Sequence, residues 1–209
     1  MIAVSQNEIA ATTVKACRGV GVEWGLAHDA GHLAQHLAAC GEPFLGSLLK
    51  VLETIDGDDQ PCLTDAAATR MIHAPVAGLA LIEWIAATGE AWQGQITAPR
   101  YLLAALVVFT AETQTVFVVE TAAGSRLTAA GGQVKGSGVL KPDDMITIST
   151  SEVAPGAGEN RLAPAQPGVA VDVPSSCWQR LMEYAHRTYV PESDRSRAAG
   201  AGAGDIDNE

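Results

Sequence analysis

The sequence predicts an α+β fold: a helical N-terminal half, mainly antiparallel strands in the second half, one C-terminal helix and a Gly/Ala-rich tail. Two observations carry this. Apolar residues recur at helical spacing over about 1–90, and β-branched residues gather over about 95–190. The two textures are segregated along the chain, unlike the alternation that marks a β-α-β arrangement. With 209 residues and an apolar fraction of 47%, the chain is long enough for one good core. A single domain is therefore expected over 1–191, followed by a tail over 192–209.

The elements follow in order. Ser5 is placed to cap a first helix, and Glu8 completes a capping box. Ile9, Thr12, Thr13, Ala16 and Cys17 follow at helical spacing until Gly19 and Gly21 stop the helix. A second helix is expected from about Val22 to Ala39, with Leu26, Ala30, Leu33 and Leu37 on one face and Gly41 as its stop. A third starts after Pro43, carries Leu45, Leu48, Leu49, Leu52 and Ile55, and ends at Asp56-Gly57-Asp58-Asp59. Thr64 or Asp65 is a candidate cap for another segment, and Pro75 to Thr88 reads as a helix ending at Gly89.

Tyr101–Phe109, Thr115–Thr121 and Met145–Ser151 then read as strands, with Ala111–Gln114 turning the first into the second as a hairpin. The Leu and Ala of the Tyr101 run suit a buried helix equally well. Gly131–Gly138 reads as a Gly-rich connection, Ala154–Gly168 as a Pro/Gly loop and Val169–Val173 as a short strand. Pro174-Ser175-Ser176 opens the last helix, whose apolar stripe is Trp178, Leu181, Met182 and Ala185.

Composition narrows the function classes. The formal net charge is −11, and the 13 Lys and Arg residues are spread along the chain. Nucleic-acid or anionic-membrane binding needs clustered basic residues, so neither partner is expected. Cys17, Cys40, Cys62 and Cys177 form no C-x-x-C pair and are expected as free thiols. No basic region precedes an apolar core at the N-terminus, and the Tyr101–Phe109 run is far shorter than the roughly 20 residues of a membrane span. A soluble, cytoplasmic protein is expected.

The motifs are sparse. Gly19-x-Gly21 followed by Gly25 lacks the preceding strand and the spacing of a dinucleotide loop, and reads as a helix–helix turn. His28, His32 and His36 lie near one helix face at i, i+4 and i+8. The rise from first to third is about 12 Å, against imidazole–zinc bonds of about 2 Å, so no metal site is expected. No G-x-S-x-G, Walker A or EF-hand sequence is present, and no catalytic residue or cofactor is assigned.

Lys15, Arg18, Glu23, Trp24 and Asp29 crowd the first helix pair. Lys15 and Arg18, at i and i+3, form a cationic spot. Arg18 is suited to grip a ligand carboxylate bidentately, or to bridge to Asp29 and fix the helix pair; the bridge is the plainer reading. At the other end, Ser196-Arg197 precedes alternating Gly and Ala, with Gly200 and Gly202 free to turn N–H groups onto an anion. Ordering Gly200–Gly204 costs roughly 5–10 kcal/mol of backbone entropy. Small side chains return little of it, and the acids of Asp205-Ile206-Asp207-Asn208-Glu209 disfavour a phosphate. A mobile tail is expected, ordered only by a ligand or partner.

Two segments resemble a known family. They are Ser5-Gln6-Asn7-Glu8-Ile9 with Lys15-Ala16-Cys17-Arg18-Gly19-Val20-Gly21, Trp24-Gly25-Leu26-Ala27 and Asp29-Ala30-Gly31, and Trp178, Leu181 and Ala185 with Thr188-Tyr189-Val190-Pro191, Ser196-Arg197, Gly200-Ala201-Gly202-Ala203-Gly204 and Asp207-Asn208. Together they are similar to the bacterial domain of unknown function 3726 family, and the resemblance spans essentially the whole chain. It implies no activity, cofactor or catalytic residue. The expectation is a protein that binds a small anionic metabolite. Lys15, Arg18, Trp24, Asp29, Ser196, Arg197, Gly200 and Gly202 are the candidate ligand residues, with the tail as a lid. The alternative is a non-catalytic interaction module whose tail inserts into a partner protein.

Overall fold

Ser5 ends one element and starts the next. Strand β1 (Ile2–Val4) leads into helix α1 (Gln6–Gly19), and the Ser5 hydroxyl accepts the Glu8 N–H at 3.2 Å. In this computed structural model, which describes residues 1–57, 71–152 and 158–189, the face Ile9, Thr12, Thr13, Ala16 and Cys17 is buried, as its spacing predicts. Helices α2 (Trp24–Ala39), α3 (Leu45–Gly57) and α4 (Ala74–Thr88) follow. Helix α2 begins two residues later than expected, because Val22 is buried in the connection and Glu23 takes the N-cap. The expected cap at Thr64 or Asp65 lies outside the described residues.

The remaining elements are β2 (Met71–His73), β3 (Trp92–Thr97), α5 (Pro99–Glu112), β4 (Val116–Thr121), β5 (Arg126–Ala130), β6 (Gln133–Ser137), β7 (Met145–Ser151), β8 (Val171–Val173) and α6 (Ser175–His186). One sheet has the order β2-β3-β7-β4-β5-β6 and is antiparallel except for the β2–β3 pair. A separate antiparallel pair joins β1 to β8, with Ile2 opposite Val173 and Val4 opposite Val171. The fold is α+β, with helices first, strands later and a helix after them.

Of the two readings open for Tyr101–Phe109, the helix is the one found and the hairpin with Thr115–Thr121 is not: the run is the middle of α5. Tyr101, Leu102 and Ala104–Leu106 are all fully buried, so the segment is apolar all round, and such a segment is stable as a helix covered on every side. Helices α2 and α4 cover one side and strands β5 and β6 the other. The Gly131–Gly138 connection is also corrected. Gly131 and Gly132, both with positive φ, make a tight turn, and Gln133–Ser137 pairs with β5 as β6.

The packing runs in layers. The sheet carries α4 and α5; α2 lies on both, α1 on α2, and α6 on α1. Two glycines set the outer spacing. A Cβ at Gly31 would stand 2.7 Å from Val14 Cγ2 and 2.9 Å from the Ala10 carbonyl oxygen, so only glycine lets α1 and α2 cross this closely. A Cβ at Gly19 would stand 2.0 Å from the Tyr184 carbonyl oxygen, so the ends of α1 and α6 meet backbone to backbone. That contact brings the first and last helices to a common edge.

Candidate functional site

At that edge a cleft of about 720 Å³ opens between the C-terminal half of α1, the first turns of α2 and the end of α6. Its lining includes Lys15, Arg18, Trp24, His28, Arg187 and Tyr189. The Arg18 guanidinium donates to the Val22 carbonyl oxygen at 2.5 Å and lies 5.0 Å from the centre of the Trp24 ring. His28 stacks on the same ring at 5.8 Å. Trp24 is 62% exposed, which leaves an indole surface of this size open to a ligand. Lys15 Nζ donates to the Tyr189 hydroxyl at 3.0 Å and sits 5.1 Å from that ring's centre.

Arg187 is differently placed. It forks onto Asp56 at the end of α3, with distances of 2.5 and 3.1 Å. That hydrogen bonding holds the Asp56 carboxyl below its ordinary range. The Arg187 guanidinium also lies 4.7 Å from the Tyr184 ring centre. Its charge is offset by Asp56, and it braces the wall. Lys15 and Arg18 form no ion pair among the described residues. One of three ammonium donors and one of five guanidinium donors are engaged, so most of both forks stays available.

Four of the predicted residues lie in described elements, and three of them converge. Lys15, Arg18 and Trp24 line the cleft, whereas Asp29 does not. Asp29 is half-buried, and burial raises its carboxyl above the ordinary value, against the opposing pull of His32 and His28. It also pushes up Glu83 on α4, whose main cause of elevation is burial. The expected Arg18–Asp29 bridge is absent, because the Val22 carbonyl and the Trp24 ring take the guanidinium first. Ser196, Arg197, Gly200 and Gly202 lie outside the described residues.

The first and third histidines of α2 make different side-chain contacts. His28 is against Trp24, while His36 Nε2 is 3.6 Å from Cys40 Sγ. Burial, then His32, lowers the His36 pKa, and burial, then Glu42, raises that of Cys40. Among the described residues no group of three or more His, Cys, Asp or Glu side chains is placed to hold a metal ion. No described helix is long and apolar enough to cross a membrane.

Residues 4–71 match the family model described as Protein of unknown function (DUF3726). The DUF3726 match therefore contains Lys15, Arg18, Trp24 and His28 and stops before the α6 residues that complete the cleft. It assigns no activity. No curated protein and no solved structure gives a significant match to the chain. Sequence reasoning missed Arg187 and His28 as cleft residues. The Thr188-Tyr189 motif was the visible signal at that end; its partner 174 positions away, Lys15, was not legible from spacing.

Proposed function

We propose that the cleft between α1, α2 and α6 binds a small anionic metabolite. Lys15 and Arg18 take the carboxylate or phosphate, and the exposed Trp24 ring takes the apolar body. The observation that supports this most is the placing of Lys15 and Arg18, neither in an ion pair among the described residues, in one cleft with an open indole in a chain of net charge −11. Cations concentrated against the overall sign make a local field that selects anions at short range. Each charge-assisted hydrogen bond to such a ligand contributes about 1.5–3 kcal/mol. A guanidinium already stacked on an indole loses little freedom when it closes on a carboxylate. The described chain reaches Tyr189 at the rim of the cleft, and the segment carrying Ser196 and Arg197 follows it in sequence. In this reading that segment covers the bound ligand.

The test is thermal stabilisation of the full chain by a panel of mono- and dicarboxylates and phosphomonoesters, with native mass spectrometry for a co-purified ligand. Arg18→Ala and Lys15→Ala are each expected to weaken the responding anion about tenfold or more, the loss of one charge-assisted bond. Truncation after Pro191 is expected to shorten ligand residence. Stabilisation that survives both point variants unchanged rules out the cleft, and unchanged residence after truncation rules out the cover. A protein partner retained by the full chain and lost on truncation would instead favour an interaction module.

A further inference from the structure

A second cavity lies outside the carboxyl ends of β2 and β3 and shares no lining residue with the cleft. These strands run parallel, α4 is their crossover, and both end on one rung of the ladder, His73 opposite Thr97. The last residues of both strands, His73 and Thr97, line this cavity. The cavity measures about 610 Å³, a size that suits a small metabolite.

Its polar lining comes from several elements. His73 Nδ1 and Thr97 Oγ1 are 3.0 Å apart at the strand ends. Lys50, from α3, is exposed and forms no ion pair among the described residues. Arg100, in the first turn of α5, pairs with Glu42. Asp143 enters from the β6–β7 connection, and Ser47 from α3. Ala98 and Asp143 have φ of 54° and 64°, and these two non-glycine residues of left-handed backbone among those described both line this cavity. Ala98 takes steric strain where β3 hands over to α5.

We propose that this cavity is a ligand site for a small hydroxylated phosphomonoester. The Lys50 ammonium of α3 and the Arg100 guanidinium of α5, which keeps N–H groups beyond its pairing with Glu42, suit the several terminal oxygens of one phosphoryl group. The Asp143 carboxylate and Ser47 hydroxyl accept from hydroxyl groups, and Asp143 repels a second anionic group. The ligand is therefore charged at one end and a neutral polyol at the other. This goes beyond the α1–α2–α6 cleft and does not depend on it.

The experiment is amide NMR of the full chain titrated with glycerol 3-phosphate, inorganic phosphate and glycerol at matched ionic strength. Glycerol 3-phosphate is expected to give saturable shifts at Ser47, Ala74 and Arg100 at millimolar concentration or below. Inorganic phosphate should bind about tenfold more weakly or worse, and glycerol should give none. Lys50→Ala, an exposed position that leaves the fold intact, is expected to weaken binding about tenfold. Lys15→Ala should leave it unchanged, which separates this site from the cleft. The proposal is overturned by the absence of saturable shifts, by equal affinity in Lys50→Ala, or by inorganic phosphate binding as tightly as the ester. It also fails if the shifts fall on cleft residues and vanish in Lys15→Ala.

Discussion

Gln6 shows how one side chain ties distant parts of this chain together. It is buried at the first turn of α1, and its amide donates to the carbonyl oxygens of Gln166 at 2.7 Å and Val169 at 3.0 Å while accepting the Gly168 N–H at 3.2 Å. The Pro/Gly loop before β8 thus owes its path to a residue some 160 positions away. Gln6→Ala leaves those backbone groups without their partner, and the expected cost is about 1–3 kcal/mol in urea unfolding. An unchanged midpoint would mean that water replaces the amide. Asp29 gives a pH signature. Burial raises its carboxyl from the ordinary value of 3.8, so the folded state holds the proton more tightly than the unfolded state. Its contribution to stability is full below that value and lost as pH rises through the folded pKa. Asp29→Asn is therefore expected to melt above the parent at neutral pH, with the difference closing as pH falls toward 3.8. A gap that does not vary with pH would assign it to packing rather than ionisation.

At the scale of elements, the approach of α1 to α6 controls the cleft. Gly19→Ala puts a methyl group against the Tyr184 carbonyl oxygen, which belongs to backbone and cannot rotate away. Overpacking of this kind costs about 1–3 kcal/mol, and the helices must separate to relieve it. The expected result is a lower melting temperature together with weakened Lys15–Tyr189 contact, read as altered Tyr189 ring resonances. A stability loss without any change at Tyr189 would mean that the strain dissipates elsewhere. The elements themselves were legible to different degrees. Helices α1 and α3 announced themselves through caps, stops and a one-sided apolar stripe. Helix α5 did not, because its core residues face partners all round and leave no period to read. Three-residue strands such as β1 and β2 are too short to show alternation, and only their ladders define them. The parallel β2–β3 pair was consequently invisible, and with it the cavity at its end.

At the scale of the molecule, the β1–β8 ladder joins the first described strand to the last. Val4 and Val173 are both buried, and the strands they belong to lead directly into α1 and α6. The cleft is assembled from those two helices and the start of α2, so half of the candidate site was readable in Lys15, Arg18 and Trp24. The other half depended on a pairing that no local pattern encodes. This arrangement predicts a hierarchy of opening. Helices α1 and α6 are the layers farthest from the larger sheet, with α6 outermost, while β4, β7 and β3 are held on both edges within that sheet. Val4→Ala removes buried methyl groups from the ladder at a cost of about 1–3 kcal/mol. Subglobal opening draws on the least buried cooperative unit first. Native-state hydrogen exchange should therefore accelerate at the amides of α1 and α6 well beyond the change in β4 and β7. Equal acceleration throughout would show that the ends and the sheet unfold as one unit, and that access to the cleft is set by the global stability of the fold.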